Sequence, residues 1–327
     1  MQSFPTSRRA ILALPALLPA AAMAQPSWPN RQPIRFIAGF PAGGLADAIG
    51  RLFAGPLGEA LGTSVVVENR TGASCTLGAD AVAKAAPDGF TLAVSHAIPF
   101  GFAPGVLPGI PYDPVADFTH LGLLAEAPTV TVVLGRSPYR GMREMLEAAK
   151  SRPVRYGSFG VGSAEHIMGA VVQRASGATQ LDHIPYRGTT PALQDLMAGQ
   201  IEALNAPITT LVPQLRDGSL RLLAVSSEAR VAAFPDAPTL AELGMPQATH
   251  TQWIGISAPR NLPGPIAERI IAAIPGAAAQ PLVQQRLTEF ASTPRSPAPL
   301  GAEFTRFVAG FRDHWVAMAR AEGIVVG

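Results

Sequence analysis

One cysteine, Cys75, stands in 327 residues, so no intramolecular disulfide forms and zinc-ribbon or thiol-pair redox chemistry is excluded. Charge is scarce too. Asp, Glu, Lys and Arg make up 15% of the chain, against roughly 25% in average soluble proteins. That argues against a charge-rich disordered chain and against an electrostatic nucleic-acid binder. The formal net charge of +2 rests on Arg8 and Arg9, the only charged residues before position 25; without them 23 basic face 23 acidic side chains. Long apolar runs are also few. The run Ile11 to Met23 is shorter than the roughly 20 residues of a membrane helix and holds Pro15 and Pro19. Preceded by Ser7-Arg8-Arg9 and followed by the small-x-small site Ala22-Met23-Ala24 before Gln25, it reads as a cleavable export signal, residues 1–24. Paired arginines suggest twin-arginine export into the periplasm, with the general secretory route the alternative.

What is abundant is Gly and Pro, 32 of each, which punctuate many short elements. From Ile34 onward short apolar runs alternate with amphipathic stretches, the pattern of βα units around a mainly parallel sheet. Strands are expected at Ile34–Ala38, Val65–Glu68, Phe90–Val94, Val130–Leu134, Val154–Ser158, Leu220–Val225 and Trp253–Ser257. Helices are expected from Ile49 through Leu61 with a kink at Pro56, then over 77–86, 142–150, around Ile167 to Val172, 192–198 and 303–320. In the last of these Phe304, Phe307, Val308, Phe311, Trp315 and Met318 share one stripe, which predicts core rather than a cofactor site. A strand, glycine turn and helix start occur twice, about 120 positions apart, at Gly39–Gly44 and Gly160–Ser163. The chain is expected to cross between two lobes after Leu124 and again near Leu223.

Enzyme motifs are incomplete. Gly72-Ala73-Ser74-Cys75-Thr76 lacks the last glycine of a nucleophile elbow, and Gly160-Val161-Gly162-Ser163-Ala164-Glu165 lacks the third glycine of a dinucleotide fingerprint. There is no Gly-Lys-Ser/Thr phosphate loop, no His-Glu-x-x-His, and no metal spacing among the six histidines. Neither a cofactor nor a metal is expected. The two glycine turns remain: each opens a helix at the end of a strand, where free amides and the helix dipole favour a carboxylate or phosphate. Spacing alone fits both ordinary βα turns and a two-jawed anion clamp. Ser163, Glu165 and His166 add side-chain donors to the second turn, and Asp47 with Arg51 reads as an i,i+4 helix pair.

The ordered runs themselves carry a resemblance. Trp28-Pro29, Pro33-Ile34-Arg35, Phe40-Pro41-Ala42-Gly43-Gly44 with Asp47, and Val65-Val66-Val67-Glu68-Asn69-Arg70 are followed by Gly78-Ala79-Asp80 and Ala86-Pro87-Asp88-Gly89-Phe90-Thr91-Leu92. Then come Tyr156-Gly157-Ser158, His183-Ile184-Pro185-Tyr186-Arg187-Gly188, Pro191-Ala192-Leu193, Gly199-Gln200, Leu220-Arg221, Pro235-Asp236-Ala237-Pro238-Thr239 and Ala321-Glu322-Gly323-Ile324. Over nearly all of the chain after the signal, this resembles the Bug family, the tripartite tricarboxylate transporter receptors, which are periplasmic solute-binding proteins.

The resemblance implies an α/β, two-lobed, type II-like Venus flytrap, each lobe a mainly parallel sheet flanked by helices. Lobe 1 would be residues 25–124 plus 224–327, lobe 2 residues 125–223, with the ligand cleft between them. In the family the two glycine loops grip one ligand carboxylate through backbone amides, hydroxyls and water. Carried over by position, Phe40, Pro41, Ala42, Gly43 and Gly44 form the first grip, and Gly160, Gly162 and Ser163 with His166 the second. Ser95 and His96, at a strand exit, join the expected pocket. Three departures bear on the ligand. Gly72-Ala73-Ser74-Cys75 replaces the usual Gly-Ala-Gly-Gly, narrowing the rim with Ser74 and Cys75; Cys75 reads as a small buried apolar residue. Ala46 replaces a common Thr. Asn205-Ala206 replaces Phe-Asp, and the lost acid is expected to disfavour a cationic amino group. The implied function is non-catalytic capture of a small organic carboxylate by a monomer that transiently meets membrane transporter subunits and binds no nucleic acid. Alternatives are a ligand sensor for a membrane signalling protein and an exported hydrolase using Ser74 or Ser163 with a histidine.

Overall fold

Successive βα units build the first half of the chain: β1 (Ile34–Ala38), α1 (Leu45–Leu61), β2 (Val65–Asn69), α2 (Thr76–Ala83), β3 (Thr91–His96) and, after a π-helical turn at Ile98–Phe102, the short α3 (Ala103–Val106). The computed structural model describes residues 28–30, 32–292, 297–321 and 323. The expected export signal, 1–24, lies outside the described residues, as do Glu322 and Ile324. β4 (Phe118–Leu134) is followed by α4 (Met142–Ala148), β5 (Val154–Ser158), α5 (Ala164–Ser176), β6 (Leu181–Pro185), α6 (Thr189–Met197), β7 (Ala203–Pro207), α7 (Val212–Arg216) and β8 (Leu220–Val225). The chain closes with β9 (Thr251–Pro259), α8 (Gly264–Ala278), α9 (Pro281–Glu289) and α10 (Ala302–Ala321).

Two sheets share one strand. In the first, β2, β1 and β3 lie parallel, β9 pairs antiparallel to β3, and β4 pairs antiparallel to β9 from Phe118 to Pro128. In the second, β5 lies parallel to β6 and β7, and β4 continues from Thr129 between β7 and β8, antiparallel to both. The change of partners therefore falls between Pro128 and Thr129. β8 stays with the second sheet to Val225, and the return passes through Ser226 and His250. These connecting segments are stitched together by polar groups: the Thr129 amide donates to Ser226 Oγ, Ser226 Oγ donates to the His250 carbonyl, and a His250 ring nitrogen meets Thr129 Oγ1.

Each sheet is covered on both faces, as parallel βα sheets must be. α1 and α8 pack Ile49, Phe53, Leu57, Ile270 and Ile274 on one face of the first sheet. α2, the π-helical turn and α10 cover the other, and that apolar cluster continues into α4 and α5 under the second sheet through Val106, Ile167 and Met168. The α10 stripe is core as expected: Phe304, Val308 and Trp315 are buried, and Phe307, Phe311 and Met318 pack against the same cluster. α1 remains helical through Pro56, where the sequence predicts a kink, and stops at Gly62 in the left-handed conformation. Among the described residues no single helix is long and apolar enough to cross a membrane.

Candidate ligand site at two glycine loops

The loop before α1 and the loop before α5 enter their helices with the same two-residue conformation, and differ two residues earlier, where Gly160 has φ +116° and the ring of Pro41 fixes a negative φ. Gly43 has φ +82° and Gly162 φ +80°, a region open to glycine at no steric cost. The next residue caps the helix in extended backbone, Gly44 at −72°, 165° and Ser163 at −71°, 159°. In both, the cap amide donates back three residues, Gly44 to the Pro41 carbonyl at 3.1 Å and Ser163 to the Gly160 carbonyl at 3.2 Å. In both, the preceding glycine amide is taken by the third helical residue, Gly43 by Asp47 Oδ2 at 2.9 Å and Gly162 by His166 Nδ1 at 3.1 Å. That locks each loop and leaves first-turn amides at Leu45–Ala46 and at Ala164 as the donors expected at a helix start, the Glu165 amide being taken by its own carboxyl.

The supports of the two loops differ. Asp47 also accepts from Arg51 Nε at 2.9 Å and Asn69 Nδ2 at 2.8 Å, and Asn69 donates to the Phe40 carbonyl, tying the loop to β2. Burial opposes the charge of Asp47, yet the bonds from Arg51, Gly43 and Asn69 hold its carboxyl below the usual range. The i,i+4 pair read from the sequence is real and is also the anchor of the first loop. On the second loop, accepting at Nδ1 makes His166 a neutral ring with its proton on Nε2. It stacks on His183 at 4.0 Å between centroids, and His183 meets Ser158 Oγ at 2.5 Å. Burial and the neighbouring His166 push His183 down to about 4.

The structure brings most of the expected residues to these loops. Pro41, Ala42 and Gly43 are exposed at the first loop's tip. The Phe40 ring meets His96 edge-on at 4.6 Å. His96 is buried; its Nδ1 accepts from the Ile98 amide and its Nε2 has no partner. Ser95, also buried with an unpartnered hydroxyl, lies on the opposite face of β3 from His96, because neighbouring strand residues alternate. Cys75 packs on the first loop: a Cβ at Gly39 would stand 2.9 Å from Cys75 Cβ. Ser74 is exposed beside it. Gly160 has φ +116°, and a Cβ at Gly162 would meet Val106 Cγ2 at 2.5 Å, so α3 closes against the second loop. Ser163 caps α5 through a 3.2 Å bond from the His166 amide. Among the described residues neither Ser74 nor Ser163 is hydrogen-bonded to a histidine ring, the contact the hydrolase alternative requires.

Asn205, expected in the pocket, is buried. Its carbonyl accepts from Thr131 Oγ1 at 2.8 Å and its amide donates to the Glu165 carbonyl at 3.1 Å, so it ties β4, β7 and α5 together. The acid that sequence reasoning found missing there is present one contact away. Glu165, second residue of α5, is fully buried; Oε1 accepts from Gln252 on β9 and Oε2 has no partner. Burial pushes its carboxyl up to about 7, against the hydrogen bonds from its own amide, Ser163 and Gln252. Burial, with Glu165 nearby, likewise pushes the Cys75 thiol far up, so Cys75 is un-ionised. The local run marks Glu165 as a side chain of the second turn, but nothing local shows its bond to Gln252, 87 positions away. Two surface depressions of about 470 and 480 Å³ flank α4 instead and include none of these residues.

Two α/β halves joined by a shared strand are the architecture of a two-lobed solute-binding protein. Residues 49–323 match the tripartite tricarboxylate transporter family receptor, and the chain belongs to that family, whose members are periplasmic receptors. It is similar to BugT of Bordetella pertussis, 32% identical over 309 residues that cover 93% of each chain. Among solved structures, the periplasmic binding protein BugD shares 29% identity with a TM-score of 0.81, covering 89% of this chain and 98% of BugD. MatC from Rhodopseudomonas palustris, solved with bound malate, shares 31% identity with a TM-score of 0.79, covering 87% of this chain and 98% of MatC.

Proposed function

We propose that this protein is exported to the periplasm by residues 1–24, captures a small organic carboxylate between two lobes built on the two sheets, and presents it to membrane subunits of a tripartite transporter. The observation that carries the reading is that two glycine loops enter α1 and α5 with the same glycine and cap conformation and the same bonding of the glycine amide. Oriented amides at two helix starts hold an anion without lysine or arginine, which suits a chain with so little charge. MatC, solved with malate, supports a carboxylate as the ligand. Changing partners at Thr129 and returning through Ser226 and His250 gives a two-stranded hinge. A ligand that touches both loops favours the closed state by the difference in its affinity for the two conformations.

The test is thermal denaturation of the purified protein with mono-, di- and tricarboxylates. A ligand at a hundredfold excess over Kd adds about 2.7 kcal/mol to stability, read as a rise of several degrees in Tm. Gly43→Val is expected to abolish that rise: its Cβ meets nothing within 4 Å in the protein and so enters the space left for the ligand. If no carboxylate raises Tm, the reading fails.

A further inference from the structure

We propose that Glu165 selects the ligand, its free carboxylate oxygen taking the ammonium group of an α-amino carboxylate whose own carboxylate is held by the glycine loops. This rests on the receptor reading above and goes beyond it by naming the ligand class and the residue that sets it. Glu165 belongs to the second sheet's helix α5, yet its side chain reaches across the junction to Gln252 of the first sheet. Cys75, packed on Gly39 of the first loop, lies close enough for the Glu165 charge to act on its thiol. The carboxylate therefore sits where the two sheets meet, in the first turn of α5 beside the second loop.

Its bonding is incomplete. Glu165 is 0% exposed, Oε2 has no hydrogen-bond partner, and among the described residues no lysine or arginine pairs with it. A buried carboxylate with an orphan oxygen and no counter-charge is costly, and such groups ask for an explanation. A ligand ammonium supplies the missing donor and the missing charge together. The geometry of an α-amino acid fits: its ammonium is on the carbon next to the carboxylate, and an anion at the start of α5 brings that carbon to the second residue of the same helix. An α-hydroxyl supplies a donor without charge, and an unsubstituted acid supplies neither. The expected order of affinity is amino, hydroxy, unsubstituted.

The test is calorimetric titration of the purified protein with matched triads: succinate, malate and aspartate; glutarate, 2-hydroxyglutarate and glutamate; propionate, lactate and alanine; 3-phenylpropionate, phenyllactate and phenylalanine. In a triad that binds, the amino member is expected to bind at least about tenfold tighter than the unsubstituted one. Glu165→Gln keeps the shape and the acceptor for Gln252, and is expected to cut that ratio to about twofold or less. Equal or tighter binding of the unsubstituted acid to the wild type overturns the role of Glu165 with no variant needed, and leaves the receptor reading standing. So does a ratio that survives Glu165→Gln. Binding of no member of any triad overturns this assignment, and if tricarboxylates leave Tm unmoved as well it overturns the receptor reading with it.

Discussion

Ala73, Ser74 and Cys75 have φ of +46°, +51° and +70° after Gly72 at +131°. Three successive side-chain-bearing residues in the left-handed region are unusual, since each costs roughly 1–2 kcal/mol there relative to the right-handed one. The Thr76 amide and hydroxyl both bond the Ala73 carbonyl, which closes the turn. The Gly-Ala-Gly-Gly that the family resemblance implies here suits this backbone, because the turn needs positive φ. Part of the relief from glycine is returned as unfolded-chain entropy. Ser74→Gly is therefore expected to stabilise the protein by about 0.5–1 kcal/mol, and Ser74→Val, β-branched at positive φ, to destabilise it by more than that. Urea unfolding midpoints of the two variants check the sign; a stabilising valine would show the turn to be relaxed.

Elements whose structure is decided locally were legible. β1, β5 and β8 are short apolar runs bounded by turns and have the bounds the sequence predicts, and both glycine loops open helices where expected. β4 was legible only in its second part. Its first eleven residues include Thr119, His120, Gly122 and Glu126, which break any apolar run; they are strand because β9 pairs with them from more than 120 positions away, and Ser257 satisfies the buried His120 ring at 2.8 Å. β7, Ala203–Pro207, has no β-branched or aromatic residue and ends on a proline, and takes its strand state from β4 and β5. The site divides the same way. Gly43, Gly44, Gly162 and Ser163 were readable from spacing, whereas Glu165, Gln252 and Asn69 acquire their roles only when distant elements meet. Asp47 shows both sides, read as a helix pair while its bonds to Gly43 and Asn69 make it the brace between α1, β2 and the first loop. Asp47→Ala removes three acceptor bonds and leaves the Gly43 and Asn69 donors unpaired. The expected loss is about 2 kcal/mol of stability, with ligand affinity falling further than in a surface Asp→Ala control. Denaturant titration with calorimetry separates the two; unchanged affinity would show that the loop needs no brace.

Across the whole molecule, stability is tied to buried imidazoles. Burial lowers His96 to about 3 and His120 and His250 to about 4, the last two despite carbonyl bonds that raise them; burial and His166 lower His183 to about 4. In the unfolded chain each titrates near 6.5. Between about pH 4 and 6.5 the unfolded state therefore binds more protons at these four positions, and stability rises with pH. Glu165 opposes them: raised to about 7, it holds a proton in the folded state that an unfolded glutamate has lost, so its contribution falls as pH rises through the same window. Four groups against one leave a net uptake of about three protons on unfolding near pH 5.5, and His166, also lowered by burial, adds to it in the same direction. Below that window the lowered carboxyls of Asp47 and Glu202 act in the same direction as the histidines, being protonated as pH falls. Tm is expected to climb from pH 4 to about 6.5 and to flatten above pH 7. His120→Gln, which keeps a polar group between Ser257 and the Pro114 carbonyl, should reduce the proton uptake by about one and make the climb shallower. Calorimetric melting from pH 4 to 8 measures both. A Tm that is level from pH 4.5 to 6.5 in the wild type would mean that the buried rings are charged in the folded protein, and the account of its core given by these four histidines would fail.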